Sequence, residues 1–272
     1  MSNSISIIEE FTKSKLTDEK MNEDGLFYDD NFVVVIDGVT SKSKKQYDGF
    51  TGGALAKETI RQTFASFNGN ENIEYIINEM QKEINKVVSK SKIQGIAASV
   101  IIYSKKYDMI WSIGDCKCLV DGKLYDDKNE LEEIAIQARK MVIHALLLNG
   151  YTEDQLLQND LSREAIMPLL KLQSNFANVN DKYGYAILNG DIEKNQYIID
   201  NVYKISIKDA REVVMSSDGY FNLYNTLEKT EMQLAIDLKN DPLCYKKNFA
   251  TKGKYFGADS FDDRTYIRFE IN

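Results

Sequence analysis

The chain has 272 residues and a net charge of −8, so it offers no basic stripe to neutralise nucleic-acid phosphates or to bind an anionic membrane surface. Its hydrophobic share of 43% and charged share of 28% are those of an ordinary globular protein, and its longest apolar runs, 32–36 and 96–102, are far too short to span a bilayer. Three cysteines are too few, and odd in number, for a disulfide framework, and the N-terminus has neither a basic region nor an apolar signal core, so reduced thiols and a cytoplasmic location are expected.

In chain order, the β-branched run Phe32–Ile36 reads as a buried strand ending at Asp37-Gly38. Thr51-Gly52-Gly53 opens a helical stretch to about Phe67. After a polar Asn-Gly-Asn linker, Ile73, Ile76, Ile77, Met80, Ile84, Val87 and Val88 follow the helical period, so two amphipathic helices should pack together on a sheet. Strands are expected at 98–103, 109–113 and 117–120, paired antiparallel through short turns, with Asp121-Gly122 as a hairpin turn. From about Asn129 to Gln173 the pattern is helical again. One stripe there comprises Leu131, Ile134, Ala135, Ala138, Met141, Val142 and Ala145, and another surrounds Pro168. Strands follow at 185–188, 197–199, 202–207 and 213–216, then a helix at 226–238 and a last strand at 265–271. The order lacks regular β-α-β alternation, which favours antiparallel sheets with helices outside over a doubly wound parallel sheet. No linker or repeat divides the chain, so a single domain over 1–272 is expected.

A single histidine removes much chemistry. His144 lies in the apolar stretch 141–148 with no nucleophile motif nearby, so it reads as structural, and His-built dinuclear centres are impossible. No cysteine is followed by the arginine of a cysteine-phosphatase loop, and Lys57 is misplaced for a phosphate loop at 49–53. Acidic residues remain. Asn22-Glu23-Asp24, Ile36-Asp37-Gly38, Ser217-Asp218-Gly219 and Asp262-Asp263-Arg264-Thr265 each lie next to a strand-like run. Clustered carboxylates resist ionising together unless a cation sits among them, so their convergence would make a site for a hard ion such as magnesium or manganese.

Taken in order, these motifs resemble the metal-dependent serine/threonine protein phosphatases of type 2C in their compact bacterial form. Thr51-Gly52-Gly53, Gly95 with Ala97-Ala98-Ser99, Ile113-Gly114-Asp115 and Tyr183-Gly184-Tyr185 join the series, and the likeness covers nearly the whole chain. The resemblance implies an α+β fold, a four-layer α-β-β-α sandwich of two antiparallel sheets flanked by helices. It implies hydrolysis of phosphoserine and phosphothreonine in proteins through a metal-activated water, with two or three Mn2+ or Mg2+ ions. A small phosphorylated molecule as substrate, or a binding module without activity, are the alternatives. By the same resemblance Asp37, Asp218 and Asp262 are catalytic metal ligands, with the Gly38 carbonyl and Asp115 completing the metal set. Glu23, Asp24 and Asp263 would orient the ions' waters. The family's phosphate-gripping arginine falls at Glu19 here, leaving Lys20, Lys15 or Lys13 as weaker substitutes, of which Lys20 is favoured. The segment from about 126 to 183 should form helices and a flap beside the metals. Phosphorylated proteins are the implied partners, with no role for nucleic acid or membrane.

Overall fold

The computed structural model describes residues 4–16, 18–40, 42, 46–93, 95–126, 130–254 and 256–272, so the expected helix start at Asn129 lies outside the described residues. Its strands are β1 (Ile5–Lys13), β2 (Asp24–Tyr28), β3 (Phe32–Gly38), β4 (Ala98–Ser104), β5 (Met109–Ile113), β6 (Lys117–Val120), β7 (Lys123–Asp126), β8 (Tyr203–Ser206), β9 (Glu212–Ser216) and β10 (Arg264–Ile271). Its helices are α1 (Gly52–Phe64), α2 (Ile73–Ser91), α3 (Glu130–Leu148), α4 (Glu153–Gln158), α5 (Leu161–Leu172), α6 (Asn195–Asp200) and α7 (Leu227–Asn240). One sheet runs β1-β10-β9-β6-β7 and the other β2-β3-β4-β5-β8, with every strand pair antiparallel.

The apolar run of β3 makes the layering visible. Its successive side chains point to opposite faces. Phe32, Val34 and Ile36 pack with α1 and α2, while Val33 and Val35 meet Met215, Ile267 and Phe269 of the other sheet. Over 32–36 the strand is covered on both faces and has no polar position, which is why that stretch reads as a continuous apolar run ahead of Asp37. On the far side, Val214 and Tyr266 pack against Leu234 and Leu238 of α7. Helix, sheet, sheet and helix therefore form the four expected layers.

The two helices of the first layer have clear local causes. The Thr51 hydroxyl accepts from the Ala54 amide and Asn72 accepts from the Tyr75 amide, each capping a helix start. Ile76, Ile77, Met80 and Ile84 of α2 are wholly buried, each contributing about 1.5–3 kcal/mol relative to exposure.

Several expectations need correction. β5 and β6 do not pair. The chain passes from one sheet to the other through Gly114–Cys116, and β6 pairs with β7 and β9 instead. The hairpin at Asp121-Gly122 is present, both residues at positive φ. Residues 185–188 make only isolated bridges, Ala177 with Tyr185 and Ala98 with Leu188. The run 197–199 belongs to α6, which buries Ile198. An apolar run this short does not separate strand from helix by periodicity. On α3 the buried face is Leu131, Ala135, Ile136, Arg139 and Ile143, whereas Ile134 and Met141 face solvent. Arg139 rotates the stripe because its buried guanidinium donates to the Leu243 and Ala250 carbonyls (2.8 and 3.1 Å) and to Asp160 Oδ2 (2.9 Å). β1 is absent from the sequence expectation, since a bulge between Ile7 and Glu9 breaks its alternation. Among the described residues no helix is long and apolar enough to cross a membrane.

Candidate active site

The acidic motifs meet where strand ends from the two sheets come together. Asp24 opens β2 directly opposite Asp37 near the end of β3, and Asp37 in turn faces Ser99 of β4. Asp115 follows the end of β5, Asp218 follows the end of β9, and Asp262-Asp263 precede β10. Antiparallel order places the start of one strand beside the end of its neighbour, so motifs scattered along the chain share one edge.

Close backbone approaches hold these loops. The Gly38 amide donates to the Glu23 carbonyl at 3.0 Å, and a Cβ on Gly38 would lie 2.5 Å from the carbonyl oxygens of both Glu23 and Gly53. The glycine at 38 thus lets the Asp-Gly end of β3 lie against the start of α1. Gly219 does the same for the Asp218 loop, where a Cβ would meet the Asp263 carbonyl oxygen at 2.1 Å. Asp263 is a tie. Its carboxylate accepts from the amides of Lys15 (2.7 Å) and Glu23 (2.9 Å). The Thr51 hydroxyl donates to Glu23 Oε1 at 2.6 Å, linking the Thr-Gly-Gly motif to the Asn-Glu-Asp motif.

Asp37, Asp115, Asp218 and Asp262 line one cavity of roughly 1110 Å³. The Asp218 amide donates to Asp37 Oδ2 at 3.1 Å, bringing those two residues into contact. The acids then divide. Lys15 Nζ lies 3.3 Å from Glu23 Oε2, 3.0 Å from Asp262 Oδ1 and 3.4 Å from Asp263 Oδ2, and the Lys252 ammonium holds the other oxygen of Asp262. No ion pair reaches Asp24, Asp37, Asp115 or Asp218 among the described residues, and Asp24 Oδ2 is buried without a hydrogen-bond partner.

Electrostatics follow that division. Burial, then the Asp218 charge, pushes the Asp37 carboxyl well above the carboxylate range. Burial, then Asp263, does the same to Asp24. Burial with Asp262 and Asp115 lifts Asp218 to about 7. Burial opposes ionisation at Asp262 too, but the ammonium groups of Lys252 and Lys15 outweigh it and hold that carboxyl below its usual range.

Sequence reasoning missed Glu132. It stands in the first turn of α3, lines the same cavity, and is raised to about 8 by burial and then by Asp115 and Asp218. In sequence it is one of three glutamates in that turn, a pattern that reads as a helix start. Arg163 on α5 was also missed. It lines the cavity with Lys42, and its guanidinium donates to the Thr251 carbonyl at 2.8 Å, next to Lys252. Lys20, by contrast, sits in the short 3₁₀ turn Glu19–Met21, is exposed, and is not among the residues that line the cavity. His144 lies away from the cavity, with its ring against Tyr245. Cys116, Cys118 and Cys244 are buried free thiols, as expected.

Buried, crowded carboxylates with an orphaned oxygen suit a hard divalent cation, so the donors Asp37, Asp218 and Asp115 fit one. Asp262 does not fit as arranged, because ammonium groups occupy both its oxygens. The fit of Asp37, Asp218 and Asp115 is one of donor chemistry: as the side chains stand, no group of three or more His, Cys, Asp or Glu is drawn together to enclose an ion among the described residues.

These shifts predict a pH effect on the metal-free protein. Asp24, Asp37, Asp218 and Glu132 bind protons more tightly folded than unfolded, so between about pH 4 and pH 8 the folded chain carries more protons and loses stability as pH rises. Asp262 acts oppositely, its contribution being lost only below about pH 4. The melting temperature should fall steadily between about pH 5 and pH 8, and Mn2+ should flatten the fall. A melting temperature that rises over this interval without metal contradicts the division.

No family model and no curated protein matches the chain. Solved structures do. The catalytic domain of the serine/threonine protein phosphatase PstP, in complex with two manganese ions, superposes with a TM-score of 0.52 at 11% identity, over 99% of each chain. The serine/threonine phosphatase Stp1 from Staphylococcus aureus gives 0.52 at 14% identity, over 97% of this chain and 94% of that one. The serine/threonine phosphatase PstP/Ppp of Mycobacterium tuberculosis gives 0.50 at 12% identity, over 98% of each. The chain has the fold of these phosphatases.

Proposed function

We propose that the chain is a metal-dependent phosphatase that hydrolyses phosphoserine and phosphothreonine in proteins. The observation that carries the reading is the convergence of Asp37, Asp218 and Asp115 at one cavity, without cation partners among the described residues, in a fold shared with serine/threonine phosphatases. Asp37, the Gly38 carbonyl, Asp218 and Asp115 would hold Mn2+ or Mg2+, which when bound supplies an activated water and neutralises phosphoryl oxygens. The chain's own work is positional. The Asp218 amide fixes the Asp37 carboxylate, Asp24 backs it from the neighbouring strand, and Asp263 fastens the loop that carries Glu23. A metal-activated water would need no protein nucleophile, which suits a chain with a single histidine. Buried free thiols support a cytoplasmic setting for this activity.

For the substrate phosphate, Arg163 is the best-placed cation. Among the described residues it has no carboxylate partner, it shares the cavity with the aspartates, and a guanidinium supplies the bidentate fork that Lys20 could not. Arg163→Ala should raise KM for an aryl phosphate by roughly ten- to a hundred-fold, with a smaller change in kcat, since a charge-assisted hydrogen bond contributes about 1.5–3 kcal/mol. An unchanged KM removes Arg163 from the site. Substrate class is tested by comparing phosphoserine and phosphothreonine peptides with small phosphorylated metabolites at equal Mn2+. Selective turnover of metabolites favours the small-molecule alternative.

A further inference from the structure

The two ammonium groups in ion-pair contact with the acid cluster, Lys15 and Lys252, both meet it at Asp262. Lys15, in the loop between β1 and β2, is 5% exposed. Its ammonium donates to Thr40 Oγ1 (2.9 Å), Asp262 Oδ1 (3.0 Å) and Glu23 Oε2 (3.3 Å), so all its donors are used. Its own amide is fixed by Asp263 Oδ1 at 2.7 Å, so the ammonium reaches the cluster from an anchored backbone. Lys252 closes the remaining oxygen of Asp262 from the cavity side. Asp24, Asp37, Asp115 and Asp218 receive no ammonium or guanidinium among the described residues.

We propose that Lys15 is a resident cation of this site, permanently neutralising the Glu23–Asp262–Asp263 side, so that divalent metal binds only to the Asp37–Asp218–Asp115 side. Asp262 then anchors lysines rather than metal. A buried ammonium with three carboxylates around it is held by far stronger fields than a surface pair, and an incoming ion would have to displace it against all of them. The other side offers an ion uncompensated carboxylates and the orphaned Asp24 oxygen. This inference rests on the metal-dependent reading above and changes which of its aspartates do the holding.

The test is calorimetric titration of the full chain with Mn2+, alongside thermal melting with and without Mn2+, for the native protein and for Lys15→Met, Asp262→Asn and Asp37→Asn. Native protein and Asp262→Asn should bind Mn2+ with affinities within a few fold of each other, while Asp37→Asn loses the tight site. Lys15→Met should melt lower than native protein without metal, recover with Mn2+, and bind one further equivalent. Equal stoichiometry in Lys15→Met and native protein overturns the proposal. So does loss of the tight site in Asp262→Asn, a comparison that holds even if Lys15→Met fails to fold. Absence of tight Mn2+ binding in the native protein overturns it as well. Tight binding without phosphoester turnover would instead sink the proposed function and leave the placement of the metal standing.

Discussion

Replacing Asp37 by Asn is expected to lower phosphoester turnover by on the order of 10³-fold or more, with the metal-free protein melting no lower than the native one. Asp37 is the most crowded acid of the site. It contacts the Asp218 loop through a 3.1 Å hydrogen bond and stands opposite Asp24 across the β2–β3 pair. Its carboxyl is held well above the usual range by burial and then by the Asp218 charge, which means that its ionised form works against folding when no metal is bound. An amide of the same shape keeps the acceptor for the Asp218 amide and removes the charge. The loss is therefore confined to holding the ion. Turnover and metal-free melting, measured on the same preparation, check both halves. Activity near the native level would mean that Asp37 is only a turn residue.

The second large effect is on stability. Gly38→Ala should destabilise the protein by about 3 kcal/mol, the upper end of the usual cost of overpacking. The added Cβ would sit 2.5 Å from two carbonyl oxygens, those of Glu23 and Gly53, and 2.7 Å from the Gly53 carbonyl carbon. These are backbone atoms of a strand-edge loop and a helix start, neither of which can rotate aside as a side chain would. For a chain of this size the melting temperature should fall by roughly 6–12 °C. Activity should fall further than stability explains, because the displaced backbone carries Asp37. A Gly38→Ala variant that melts like the native protein would show that the approach of β3 to α1 is looser than described.

Much of this was legible in the sequence because the site is built from strand ends. A wholly buried strand such as β3 announces itself by Val33-Val34-Val35, and the Asp-Gly that ends it marks where the chain leaves the sheet. The glycines that let loops touch are conspicuous for the same reason. What could not be read is what depends on tertiary contact. β5 and β6 are separated only by Gly114–Cys116, and nothing local says that they enter different sheets. The bulge in β1 hid an edge strand. Arg139 falls outside the expected stripe of α3, and its burial depends on the Leu243 and Ala250 carbonyls, which are far away in sequence. In the site, the aspartates were found because their motifs are local, whereas Glu132, Arg163 and Lys252 come from the helical segment and a loop that no short pattern ties to the strands. Lys15 was visible only as one of several lysines near Glu23. Its role comes from three carboxylates brought together by β1, β2 and β10.

The most direct test is hydrolysis of a phosphoserine peptide by protein stripped of metal and then titrated with Mn2+. Every donor facing the uncompensated side of the cluster is an oxygen of a carboxylate or a carbonyl, and no histidine or thiol lines the cavity among the described residues. Metal-dependent hydrolysis predicts no turnover in excess chelator and saturable recovery as Mn2+ is added. Full turnover in the presence of chelator, or none at any Mn2+ concentration, would contradict it.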